Sequence, residues 1–177
     1  DYAWEKFDRV MEAAQRQNLK VMLRVGYTWD YYSGDNVLER YEKLLYDDGT
    51  KRAWIQYAKR LYERAAVHEN FCGGFITWED FWNFAENGST LYGSGITGRK
   101  MAAQCGYTQY VKEHYTLEEL EEMYQDTFKT YEDVYLPDSL NTYSRKVFYK
   151  FYDDFLNKIL AETQAVFPDL SMEVRLD

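Results

Sequence analysis

Apolar positions along this chain alternate between two rhythms. From residue 4 to 17, Phe7, Val10, Met11 and Ala14 recur at helical spacing while Arg and Glu fill the other face, which predicts an amphipathic helix ending near Asn18. Lys20 to Tyr27, with Val21, Met22, Leu23 and Val25 in a run, reads as a buried strand. A second helix is predicted over 50–67 from the stripe Trp54, Tyr57, Ala58, Leu61 and Ala65, and a second strand from Phe71 to Thr77. Residues 28–48 read as loop with a short helix, and 80–115 as a long glycine-bearing excursion. Thr116-Leu117-Glu118-Glu119 is a capping box opening a helix over 116–126. Pro137 and Asp138 then introduce a long helix over 141–166, apolar at Val147, Phe148, Phe151, Phe155, Ile159 and Leu160. Pro168-Asp169 stops it, and Leu170 to Leu176 reads as the third strand.

Helices alternating with strands imply an α/β fold with parallel strands and right-handed crossovers. A doubly wound sheet and a (β/α)8 barrel both fit this order. The barrel is favoured because no Gly-rich phosphate loop follows a strand, and because the chemically interesting residues fall just past strand C-termini. Three parallel strands alone would leave both edges unpaired, and a whole barrel takes about 250 residues. The expectation is therefore that residues 1–177 are an internal part of a single TIM-barrel catalytic domain, about its third to fifth strands, with a loop and helical insertion over 80–140 after the fourth strand. A compact three-stranded α/β domain is the alternative.

Strand alternation assigns faces. Met22, Arg24 and Gly26 share one side of the first strand, and Phe75, Thr77 and Glu79 one side of the second. Ser171, Glu173, Arg175 and Asp177 share a side of the third, opposite Leu170, Met172, Val174 and Leu176. The apolar sides are expected to meet the helices. Because buried charges need partners, Arg24, Glu173 and Arg175 are expected to form an ion-pair network inside the barrel; the alternative is a solvated sheet face.

Composition narrows the function classes. The net charge of −9 and pI near 4.8 argue against nucleic acid and anionic membrane surfaces as partners. No apolar run approaches bilayer length. Cys72 and Cys105 lack metal-type spacing and read as buried free thiols, and His68 and His114 are isolated from each other, so a catalytic His triad or a His-rich metal site is not expected. The 18 tyrosines fit either an aromatic core or a carbohydrate site.

The segment Gly73-Gly74-Phe75-Ile76-Thr77-Trp78-Glu79-Asp80-Phe81-Trp82-Asn83 carries the chemistry. A strand runs into an acidic pair flanked by tryptophans. Aromatic walls desolvate a carboxylic acid and keep it protonated near neutral pH, the form that can donate to a glycosidic oxygen. Glu79 is the candidate acid/base. Trp78, Trp82 and Asn83 beside it, and Tyr27, Trp29 and Asp30 in the turn Tyr27-Thr28-Trp29-Asp30-Tyr31-Tyr32, are candidate sugar-binding residues, with core-edge aromatics as the plainer reading. Arg24, Arg175 and Asp177 join the substrate-binding set through their strand ends. Asp80, adjacent to Glu79, should point away from it and serve as a helix cap or an Arg partner.

Gly106-Tyr107-Thr108-Gln109-Tyr110-Val111-Lys112-Glu113-His114-Tyr115-Thr116-Leu117-Glu118-Glu119-Leu120 resembles the segment after the fourth strand in family 42 glycoside hydrolases, the β-galactosidase-like barrels of clan A. Tyr131 to Pro137, the helix bearing Tyr149, Phe151, Tyr152, Asp153 and Phe155, and Pro168 to Val174 resemble the family's succeeding elements. The resemblance covers roughly the second half of the chain. It implies a retaining glycosidase of oligo- or polysaccharides whose acid/base maps onto Glu79. Its nucleophile Glu would end the seventh strand, outside this chain, so these residues alone would be inactive and would need the remainder of the barrel. No metal or cofactor is implied, and the compartment is read equally as bacterial cytoplasm or cell surface. One position departs: clan A enzymes place Asn directly before the acid/base, and here Trp78 stands there. That departure motivates a second reading, a non-catalytic carbohydrate-binding protein on a degenerate barrel. A third is an α/β interaction domain whose aromatics are core and interface.

Overall fold

The computed structural model describes residues 2–25, 46–76, 102–103, 106–136 and 143–172. Its elements are α1 (Tyr2–Arg16), β1 (Val21–Arg24), α2 (Asp48–Ala65), β2 (Phe71–Ile76), α3 (Tyr107–His114), α4 (Leu117–Tyr124), a 3-10 turn (Tyr131–Asp133), α5 (Tyr143–Gln164) and β3 (Leu170–Met172). The fold is α/β. Three parallel strands in the order β1-β2-β3 make an open sheet. The chain divides into two compact units, one of residues 1–27, 52–78 and 160–177, the other of 28–51 and 79–159.

The first unit contains the sheet. α1 ends where Asn18 takes a left-handed φ of 57°. The Leu19 N–H then reaches the Ala14 carbonyl and the Asn18 N–H the Gln15 carbonyl, both at 2.9 Å. This double closure satisfies carbonyls that the helix leaves open. Met11 is the buried residue of α1, whereas Val10, expected on the same face, is 57% exposed because it lies at the edge of the arc through Phe7, Met11 and Ala14. On α2 the buried arc is Ala58, Leu61 and Ala65. Tyr57, expected in that stripe, is exposed and leans on Trp54 at 5.8 Å between ring centroids. Trp54 Nε1 donates to Thr163 Oγ1 at 2.7 Å, joining α2 to the end of α5. Asn70 fastens α1 to the entry of β2 by donating from Nδ2 to the carbonyls of Met11 (3.0 Å) and Leu19 (3.3 Å).

Among the described residues, one face of the sheet is covered and the other carries exposed side chains. Tyr62, Phe71 and Phe167 form a triangle of rings with centroids 5.1–6.1 Å apart. Leu23, Gly74 and Leu170 form a row across the strands on this covered face. Arg24, Phe75 and Ser171 form the neighbouring row on the opposite face. Met22, Arg24, Cys72 and Ser171 are exposed there. Cys72 is therefore not the buried thiol expected from the sequence: it sits on the uncovered face, its Sγ 3.2 Å from the Val21 carbonyl. Cys105 lies outside the described residues.

The pairing of β1 with β2 is irregular. Val21 pairs with Phe71 but Leu23 with Gly74, so one extra residue of β2 is accommodated. Gly73 is that residue, with a φ of 116°. A Cβ at Gly73 would lie 2.6 Å from the Asp169 carbonyl oxygen, so both the dihedral and the space require glycine.

The second unit has an aromatic core. Tyr107, Tyr110, Val111, Leu120, Tyr124, Val147, Phe148, Phe151 and Phe155 are buried. Tyr124 Oη donates to the Tyr135 carbonyl at 2.8 Å, so across the 2.8 Å Tyr107–Tyr124 pair the Tyr107 hydroxyl is the donor. Burial pushes the Tyr124 phenol pKa well above its ordinary value. These tyrosines are core residues, the plainer of the two readings of the tyrosine excess. α3 falls inside the stretch that periodicity read only as a glycine-bearing excursion. The expected Thr116 capping box is present, with Thr116 N–H to Glu119 Oε2 at 2.8 Å and Glu119 N–H to Thr116 Oγ1 at 3.2 Å.

Candidate functional site

Parallel strands in register end together. Because Arg24, Phe75 and Ser171 lie in one row, the C-termini of β1, β2 and β3 emerge along a single margin of the sheet. The next pairing, Ile76 with Met172, and the 2.7 Å hydrogen bond from the Val25 N–H to the Phe75 carbonyl carry this alignment to the last described residues. In α/β proteins this margin is where ligands are met.

Of the residues singled out from the sequence, Arg24 is described. It is exposed at the end of β1 on the uncovered face, beside Phe75. Glu79, Trp78, Tyr27, Trp29, Asp30, Trp82, Asn83, Arg175 and Asp177 lie outside the described residues, as do Asp80 and Glu173. The side-chain alternation expected for β1 and β3 is present in their described parts, with Met22 and Arg24 on the exposed side and Leu170 buried opposite Ser171.

The sequence reading missed the residue that sets the facing of β2. Counted evenly from Phe71, which packs against Tyr62 and Phe167, Phe75 would fall on the covered face. The extra residue Gly73 turns it to the uncovered one, in the row of Arg24 and Ser171. The signal was present as a glycine pair inside an apolar strand, a pattern that marks bulges and close backbone approach. Gly74 also fits closely: a Cβ there would lie 2.9 Å from both Phe167 Cζ and Val25 Cγ2. Ser171 completes this region by donating from Oγ to the Gly74 carbonyl at 3.1 Å.

Among the described residues no group of His, Cys, Asp and Glu could hold a metal ion, and no helix is long and apolar enough to cross a membrane. Comparison with known proteins gave no match to a family model, a curated protein or a solved structure.

Proposed function

We propose that this chain is part of a (β/α)8-barrel catalytic domain of a retaining glycoside hydrolase, similar to the family 42 β-galactosidase-like enzymes, with Glu79 as acid/base. The observation that carries the reading is the sheet: three parallel strands whose order never reverses, covered on one face and open on the other, with the central strand running straight into Thr77-Trp78-Glu79-Asp80. Consecutive βα units of a barrel have this arrangement, and the margin at their strand ends is where such enzymes keep their sites. Continued alternation beyond Phe75 would carry Thr77 and Glu79 on the open side, which is the barrel interior in this reading.

In the retaining mechanism Glu79 protonates the leaving oxygen. A carboxylate about 5–5.5 Å away, here supplied by the seventh strand, attacks the anomeric carbon, and Glu79 then activates the water that releases the sugar. Trp78, Trp82, Tyr27 and Trp29 would stack on sugar rings, while Asp30, Asn83, Arg24, Arg175 and Asp177 would bond hydroxyls. The test is hydrolysis of an aryl-glycoside and oligosaccharide panel by the full-length protein and its Glu79→Gln variant. A fall of about 10²–10⁴-fold on substrates with poor leaving groups is expected; undiminished turnover by the variant rules out Glu79 as the acid. Trp78 in place of the clan's Asn supports a second reading, glycan binding without hydrolysis. Binding by a wild type that cleaves nothing would select it.

A further inference from the structure

The second unit holds a polar cluster that the proposed hydrolysis does not use. Tyr110 on α3 donates from Oη to Asp154 Oδ2 on α5 at 2.7 Å. Lys150, one turn earlier on α5, donates from Nζ to Asp154 Oδ1 at 2.6 Å. The His114 ring stacks on Tyr110, with centroids 4.1 Å apart and planes at 24°, and its Nδ1 lies 2.9 Å from the Tyr110 carbonyl oxygen. A carbonyl only accepts, so Nδ1 carries the proton, and in the neutral ring Nε2 is left as an acceptor. Tyr115 completes the group, its ring 6.4 Å from that of Tyr110. Burial raises its phenol pKa, while Lys150 lowers and Asp154 raises it, which places this hydroxyl in the field of the same ion pair.

The bond from Tyr110 to Asp154 is enough to latch α3 to α5. The rest of the cluster exceeds what a latch needs. Lys150 is 60% exposed and uses one of its three donors on Asp154. His114 is exposed and holds Nε2 in a fixed orientation. Tyr115 is half-buried. A donor, an acceptor and an aromatic ring therefore surround one carboxylate on two helices, and Asp154 neutralises Lys150, so the set has no surplus charge to recruit an anion. An uncharged ligand with neighbouring hydroxyls and an apolar C–H face matches it.

We propose that Tyr115, His114, Lys150 and Asp154 form a carbohydrate-binding subsite. Its ligand class rests on the glycoside hydrolase reading, whereas its geometry does not. The test is an NMR titration of the full-length Glu79→Gln protein with neutral oligosaccharides, following the His114 imidazole and the Tyr115 ring. Wild-type hydrolysis is assayed in parallel. The expected result is a saturable shift at His114 whose affinity falls about tenfold in Lys150→Met, the loss of one hydrogen bond from a charged donor, and about tenfold in Tyr115→Leu, the loss of the ring. Saturable shifts at His114 without hydrolysis by the wild type would keep the subsite and remove the catalytic reading. Hydrolysis with no shift at His114 from any sugar would remove the subsite and keep the catalytic reading. Shifts unchanged by both substitutions would also overturn the assignment.

Discussion

Asp8 is one carboxylate serving two partners. Arg64 Nε donates to its Oδ1 at 2.8 Å and Arg64 Nη2 to its Oδ2, while His68 Nε2 lies 3.4 Å from Oδ1. The bonds from Arg64, and then that from His68, hold the Asp8 pKa below the usual carboxylate range, against the opposing effect of burial. A carboxyl whose folded pKa lies below its unfolded value, about 4, lends stability that is present above that value and is lost as pH falls through the folded one. Asp8→Asn should therefore destabilise the protein most above about pH 5, with the difference from wild type shrinking as pH drops below about 4. Urea unfolding of both proteins across that range checks it, and a difference independent of pH would refute it. Neither this clasp nor the pair Lys150–Asp154 was read from the sequence. Asp8 and Arg64 sit on different helices, so no spacing in the chain connects them. The i,i+4 spacing of Lys150 and Asp154 was visible, but it is too common on helical surfaces to single out a site.

At the scale of elements, periodicity worked where burial is one-sided. α1, α2, α4 and α5 lie within a few residues of their expected bounds because each has one apolar stripe and an end signal such as Asn18, the Thr116 box or Pro168. Faces were less legible. Val10 and Tyr57 counted as stripe residues by spacing, yet tertiary packing leaves both in water. The facing of β2 depends on Gly73, and no count of alternating residues contains an extra one. Gly73→Ala should destabilise the fold by about 1–3 kcal/mol from crowding against the Asp169 carbonyl, with the strain of a positive φ in addition. A chemical denaturation midpoint equal to wild type would show that the bulge tolerates a side chain.

For the whole molecule, the parallel α/β order was legible from alternation alone; the described strands make an open sheet, and the barrel belongs to the proposal. Most candidate site residues lie outside the described residues, so their meeting in one site belongs to the proposal. The uncovered face offers a direct check. Cys72 is exposed on it. If further strands close a barrel over that face, Cys72 in full-length protein carrying Cys105→Ser should react with a thiol reagent far more slowly than in urea. Reaction at the unfolded rate would mean that water reaches this face and would remove the barrel from the proposal.

The irregular pairing at Gly73 also decides how β2 can change length. Elsewhere in a strand, losing one residue turns every later side chain to the wrong face. Losing Gly73 would not: Phe71, Cys72, Gly74, Phe75 and Ile76 would then alternate evenly and keep the faces they have now. A lineage of this protein could therefore shorten β2 by one residue at this one position without reversing it.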